Sequence, residues 1–304
     1  MNAIALAGAI DGAVLRAAGW RVKGALHLTP YDDLRDVPSY AGLEDLLADE
    51  ELVAVALDGA DPLLARHLPA VLERGLHVLL PGPAPLDPEV LRAARAIEGR
   101  GEAAVGLLQR WEPWALTAAA AIPLVGTPVL QATVRGWPRG VEAAAELVDL
   151  ARSWCGDVVS VCAAPAPLPA TALGEGLPVA WSLLHDSGAT TLVSHEGAPP
   201  QARLSFASAR LEAGPLGARW DGGCELPLLT TPDRRDVPLV SVTPPGTPVG
   251  LLATAVALLQ AVPSSEVATD CWPWPADLGD LQAISRVLAA LRESARSEAP
   301  ARVA

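Results

Sequence analysis

The spacing of apolar positions changes character near Leu108. Before it, short apolar runs alternate with amphipathic ones. Ala3–Ala9, Arg21–Leu28, Leu52–Leu57, His77–Leu80 and Ala103–Leu108 read as strands. Gly12–Ala18, Leu43–Asp49, Pro62–Arg74 and Pro88–Gly99 read as the helices between them, with Gly75 closing the third. Thr29–Ser39, with two prolines and three aspartates, reads as a loop where a crossover helix would normally run. Uninterrupted apolar strands separated by helices mark a parallel sheet covered on both faces. Residues 1–109 are therefore expected to form a doubly wound, Rossmann-like domain.

After Leu108 the pattern loosens. Pro128–Gly136 and Val158–Ala163 read as strands on either side of Val141–Trp154, where apolar residues recur at helical spacing. Beyond the Pro- and Gly-rich stretch Pro165–Pro178, strand-like segments lie around Thr190–His195, Ala202–Ser208, Gly217–Trp220 and Leu226–Leu229. They predict an α/β domain over 110–304 with an open, mostly antiparallel sheet. Thr247–Val262 and Ala276–Arg296 are expected to be closing helices, Asp277 being placed to N-cap the second. The tail Ser297–Ala304 is expected to fray.

Composition narrows the function classes. The chain has 304 residues, 51% of them hydrophobic, enough for a sizeable core. A formal net charge of -13 disfavours nucleic acid and anionic membrane surfaces as partners. Val249–Val262 is too short to span a bilayer. The start lacks a basic segment and Asp11 interrupts its apolar run, so a cytoplasmic location is expected. Cys155, Cys162, Cys224 and Cys271 form no C-x-x-C pair, and no metal site is expected. Among 22 Lys and Arg residues, Lys23 is the single lysine.

The segment Leu72-Glu73-Arg74-Gly75-Leu76-His77-Val78-Leu79-Leu80-Pro81-Gly82-Pro83 resembles the helix–glycine–strand stretch of the Gfo/Idh/MocA oxidoreductases. Tyr40–Asp49, Gln109–Pro113, Leu147–Val158 and Asp277–Val303 are similar to further segments of that family, in family order. The resemblance implies an NAD- or NADP-binding N-terminal domain and oxidoreduction of a sugar-like small molecule. It also implies a C-terminal α/β domain whose open sheet binds a second copy, making a homo-oligomer. On this resemblance the cofactor positions are Gly8, Ala9, Ile10, Asp11, Gly12, Asp58, Pro81 and Gly82. The family's catalytic Glu-Lys-Pro lysine falls at Gly82, and its H-x-x-D pair falls at Glu146 and Asp149.

Several of these positions depart from the family. In G-x-G-x-x-G the middle glycine lets the backbone approach a pyrophosphate at the helix N-terminus. Here Ile10 holds that position and is expected to crowd a phosphate. Asp11 is expected to cap the first helix and repel one. The second strand ends Ala25-Leu26-His27-Leu28 without a carboxylate for a ribose, and Asp32 and Asp33 read as solvated loop residues. Glu142, Glu146 and Asp149 share one helical face. They read either as an exposed acidic face or as a crowded set in which one carboxyl works as an acid or base. Trp137–Gly140 is short where the family has a loop that walls the pocket. His185-Asp186 and His195-Glu196 are adjacent His–carboxylate pairs, and His185 is the alternative base.

Three functions follow as expectations. One is an NAD(P)-dependent oxidoreductase using Asp149, with Glu146, for the proton. Another is a non-catalytic scaffold or small-molecule-binding relative. The last is an enzyme of different chemistry in the same cleft. The joint departure at cofactor turn, ribose acid, lysine and histidine favours the second.

Overall fold

The computed structural model describes residues 2–26, 37–83, 86–97, 100–136, 140–163, 180–194, 200–215, 217–222, 236–237, 255–256, 258 and 276–303. The chain divides into two compact units, one of Met1–Leu108 with Thr243–Gln282 and one of Gln109–Val242 with Ala283–Ala304.

In the first unit, β1 (Ala3–Ala7), β2 (Arg21–Leu26), β3 (Leu52–Leu57), β4 (His77–Leu80) and β5 (Ala103–Val105) form one parallel sheet in the order β2-β1-β3-β4-β5. Every residue of β1 is buried, as an apolar run in a doubly covered sheet requires. Ser39 bridges in parallel to Ala25 beside β2. Counting that bridge as a vestigial strand gives six strands in the 3-2-1-4-5-6 order of a doubly wound sheet. The connecting helices are α1 (Gly12–Ala17), α2 (Leu43–Ala48), α3 (Pro62–Ala65), α4 (Leu68–Glu73) and α5 (Pro88–Ile97).

The single helix expected over Pro62–Arg74 is broken into α3 and α4. Pro69 sits in the first turn of α4, where its missing N–H costs nothing; one helix running through it would clash with the carbonyl four residues earlier. The core of this unit gathers Ile4, Leu6, Ile10, Leu15 and Trp20 with Ala255 and Leu258. The Trp20 indole donates to the Ala255 carbonyl at 2.9 Å, tying the segment around Ala255 to this core.

The turn after β1 depends on Gly8, whose φ is +104° and whose added Cβ would lie 2.5 Å from Asp58 Cβ. Gly8→Ala combines a left-handed backbone with a steric overlap. We expect it to cost about 1–3 kcal/mol of stability, measured by urea denaturation.

In the second unit, α6 (Pro113–Val125) and α7 (Val141–Cys155) lie on one face of a mixed sheet that has nine strands among the described residues. The strands are β6 (Gln131–Arg135), β7 (Val158–Ala163), β8 (Ala180–His185), β9 (Thr190–Ser194), β10 (Gln201–Ser205), β11 (Ala209–Gly214), β12 (Gly217–Gly222), β13 (Asp236–Val237) and β14 (Ala301–Arg302). Their order is β13-β12-β11-β10-β6-β9-β8-β7-β14, antiparallel except for the parallel pair β6–β9. Burial alternates along β6, β9 and β10, so one face packs and the other stays open. Trp114 of α6 meets Trp154 of α7 edge to face, centroids 6.0 Å apart.

The tail does not fray. β14 pairs with β7, and Val303 N–H donates to the Val159 carbonyl at 3.1 Å, so the tail covers an otherwise unpaired sheet edge. The last helix, α8 (Leu278–Ser297), begins as expected, with Asp280 N–H donating to Asp277 Oδ1 at 2.8 Å.

The strand expected at Leu226–Leu229 and the loop at Pro165–Pro178 lie outside the described residues. Most of the helix expected over Thr247–Val262 does so as well. No helix among the described residues is long and apolar enough to cross a membrane.

Candidate functional site

The first unit places Gly8, Asp58 and Pro81-Gly82 after the C-terminal ends of β1, β3 and β4, where ligands of open parallel sheets bind. Gly8 packs against Asp58 and Leu64 of its own chain. Asp58 is half-buried, and its Oδ1 accepts from Ala60 N–H at 3.0 Å. Ala9 is exposed. Asp11 caps α1 as expected: its Oδ1 accepts from Ala13 N–H at 2.9 Å and from Val14 N–H at 3.4 Å. Gly12 is buried as the first residue of that helix.

Ile10 corrects the sequence reading. It does not stand in the approach to the turn. Its N–H donates to the Gly8 carbonyl, and its side chain is 2% exposed within the core of Leu6, Leu15 and Trp20. The tight turn at Gly8 sends it inward.

Gly82 sits in open space, with nothing within 4 Å of a Cβ added to it. The one lysine is engaged elsewhere. Lys23 Nζ lies 2.5 Å from Asp49 Oδ1 and 3.3 Å from Glu51 Oε2, while the Tyr40 hydroxyl donates to Asp49 Oδ2 at 2.8 Å. Hydrogen bonding from Lys23 holds the Asp49 carboxyl below its ordinary value, and burial pushes the Tyr40 phenol up. Asp49 and Glu51 precede β3, so this cluster belongs to the end of that strand opposite Asp58.

The second unit assembles the acidic residues of α7. Glu142 is exposed, but Glu146 is 7% and Asp149 1% exposed, so the expected acidic face is divided between solvent and interior. Glu146 Oε2 accepts from the backbone N–H of Gln109 at 3.0 Å. Arg110 grips Asp149 with two bonds, Nε to Oδ2 at 2.9 Å and Nη2 to Oδ1 at 2.5 Å. A two-pronged guanidinium–carboxylate pair fixes orientation as well as charge. Both acids therefore hold the 3-10 turn Leu108–Trp111 onto α7.

His185 is not near these groups in the hydrogen-bond network. It is 2% exposed; Nδ1–H donates to the Gly156 carbonyl at 2.7 Å, and Nε2 accepts from the Thr191 hydroxyl at 2.8 Å. Both ring nitrogens are engaged inside the protein.

Burial pushes the His185 pKa down, against the Gly156 bond and the charges of Asp186 and Asp157. His77, which accepts from Glu102 N–H at 3.2 Å, is also lowered by burial, against the charge of Glu102. For both, the neutral ring favours the fold. Their contribution is whole above the unfolded value of about 6.5 and is lost as pH falls through the lower folded value. We expect the urea midpoint to fall between about pH 7 and about pH 5, with a shallower fall in His185→Gln.

Sequence reading passed over Glu112, at the head of α6. It is half-buried, and burial raises its carboxyl pKa. Its signal was hidden because α6 itself lacks an amphipathic pattern. Asp32, Asp33, His195-Glu196 and Trp137–Arg139 lie outside the described residues. Among the described residues no group of three or more His, Cys, Asp or Glu is placed to hold a metal.

No protein-family model and no curated protein matches the chain. Solved structures do. Levoglucosan dehydrogenase in complex with NADH and levoglucosan matches at 13% identity over 100% of both chains, TM-score 0.74. An aldose-aldose oxidoreductase from Caulobacter crescentus complexed with glycerol matches at 15% identity over 99% of both, TM-score 0.74. An oxidoreductase from Thermotoga maritima matches at 12% identity over 99% of this chain and 98% of its own, TM-score 0.74. The chain therefore has the two-part α/β fold of these oxidoreductases over its full length.

Proposed function

We propose that this protein is a divergent relative of the Gfo/Idh/MocA oxidoreductases that serves, in the cytoplasm, as a scaffold or small-molecule-binding protein rather than as a dehydrogenase. The observation that carries this reading is the use made of Glu146 and Asp149. Hydride removal from an alcohol needs a group to accept the hydroxyl proton, worth about 10²–10⁴-fold in rate. The two α7 acids at the family's proton-transfer positions are buried on Gln109 and Arg110. The third position, Gly82, has no side chain to offer. The open sheet face presents Leu184 and Leu192 together with the ion pair Arg203–Glu212, and it is the surface we assign to a second copy of the chain.

The competing reading is an NAD(P)-dependent oxidoreductase of sugar-like molecules. It is supported by the match to a dehydrogenase solved with NADH and its sugar. An assay of the full chain with NAD+ or NADP+ and a panel of aldoses, polyols and inositols separates the two. The proposal expects no cofactor reduction above the protein-free rate; turnover that scales with protein concentration would reject it.

A further inference from the structure

We infer that the first βα turn is closed to a dinucleotide by its own side chain, Asp11 standing where the pyrophosphate would bind. A pyrophosphate in this fold is held by the free N–H groups at the start of the first helix and by the positive end of that helix. Here the Ala13 and Val14 N–H groups already donate to Asp11 Oδ1, at 2.9 and 3.4 Å. The occupant is an anion, so a second anion would have to displace it and would be repelled while doing so.

One further feature bears on the turn. The helix behind the turn has only six residues, a short dipole with which to attract phosphate. The residues present therefore do not fit NAD or NADP at this turn, and no step of chemistry is assigned to either.

This inference deepens the non-catalytic reading but stands on a different part of the chain. Turnover with a nicotinamide cofactor would reject that reading, whereas the test below addresses the turn alone.

The test is calorimetric titration of the full-length protein, Asp11→Ala and Asp11→Ser with inorganic pyrophosphate. Serine can keep the cap without the charge, whereas alanine frees both N–H groups. We expect no saturable heat from the wild type or from Asp11→Ser, and binding at least tenfold stronger in Asp11→Ala. Saturable binding by the wild type would overturn the inference. So would an Asp11→Ala protein that behaves like the wild type, or an Asp11→Ser protein that binds as well as Asp11→Ala. Circular dichroism of each variant establishes that it is folded before titration.

Discussion

Replacing Asp149 by alanine is expected to remove about 3–5 kcal/mol of unfolding free energy, because it breaks the two-pronged ion pair with Arg110 in a mostly buried site. Asp149 is 1% exposed and the Arg110 side chain 16%, so water can relieve little of that loss. Arg110→Ala should be of similar size, since it breaks the same pair. The double variant Arg110→Met, Asp149→Leu should recover most of the loss, because it replaces both buried charges by apolar side chains of similar size. Urea denaturation of the four proteins measures this directly. Single variants within about 1 kcal/mol of the wild type would mean that the pair is loosely held and free for other work.

Trp20→Ala should cost about 3–5 kcal/mol, the usual range for emptying a large aromatic site. Trp20 is fully buried, and its N–H holds the Ala255 carbonyl. The alanine variant loses the packing of Ile4, Leu6 and Leu15 and also leaves that carbonyl without its donor. Trp20→Phe, which keeps most of the ring volume, should lose only about 1 kcal/mol for the missing bond plus a small packing defect. Equal losses in the two variants would show that the hydrogen bond rather than the ring anchors the segment around Ala255. Differential scanning calorimetry of both variants supplies the comparison.

The parallel sheet was legible because its strands are covered on both faces and so read as unbroken apolar runs. Leu52–Leu57 and His77–Leu80 coincide with strands β3 and β4. Local chemistry was legible too. Asp11 and Asp277 are acids one residue ahead of helices, and each caps its neighbour.

Elements lacking a periodic signal were missed. α6 is apolar on nearly every side, contains Pro123, and is buried over Trp114–Ala118 and at Ala121 without an amphipathic stripe. β8 escaped because Leu184, adjacent to the buried Leu183, puts an apolar residue on the open face and breaks the alternation. The tail strand β14 has only two residues and exists through its partner β7, which sequence reading could not place beside it.

The candidate site divides the same way. Which residues stand where the resemblance places a lysine and a histidine can be read from the chain alone. What Glu146 and Asp149 do instead cannot, because Arg110 lies 39 residues from Asp149 and is brought to it only by the turn after β5 meeting α7. The inward rotation of Ile10 depends on the φ of Gly8, a backbone choice that glycine permits but does not announce.

A fold kept over its full length while its cofactor turn is capped and its acids are committed to structure is the central claim. Titrating the full-length protein with NADH and NADPH, following the quenching of tryptophan fluorescence, tests it most directly. The account predicts no saturable quenching up to millimolar nucleotide; saturation in the micromolar range would contradict it.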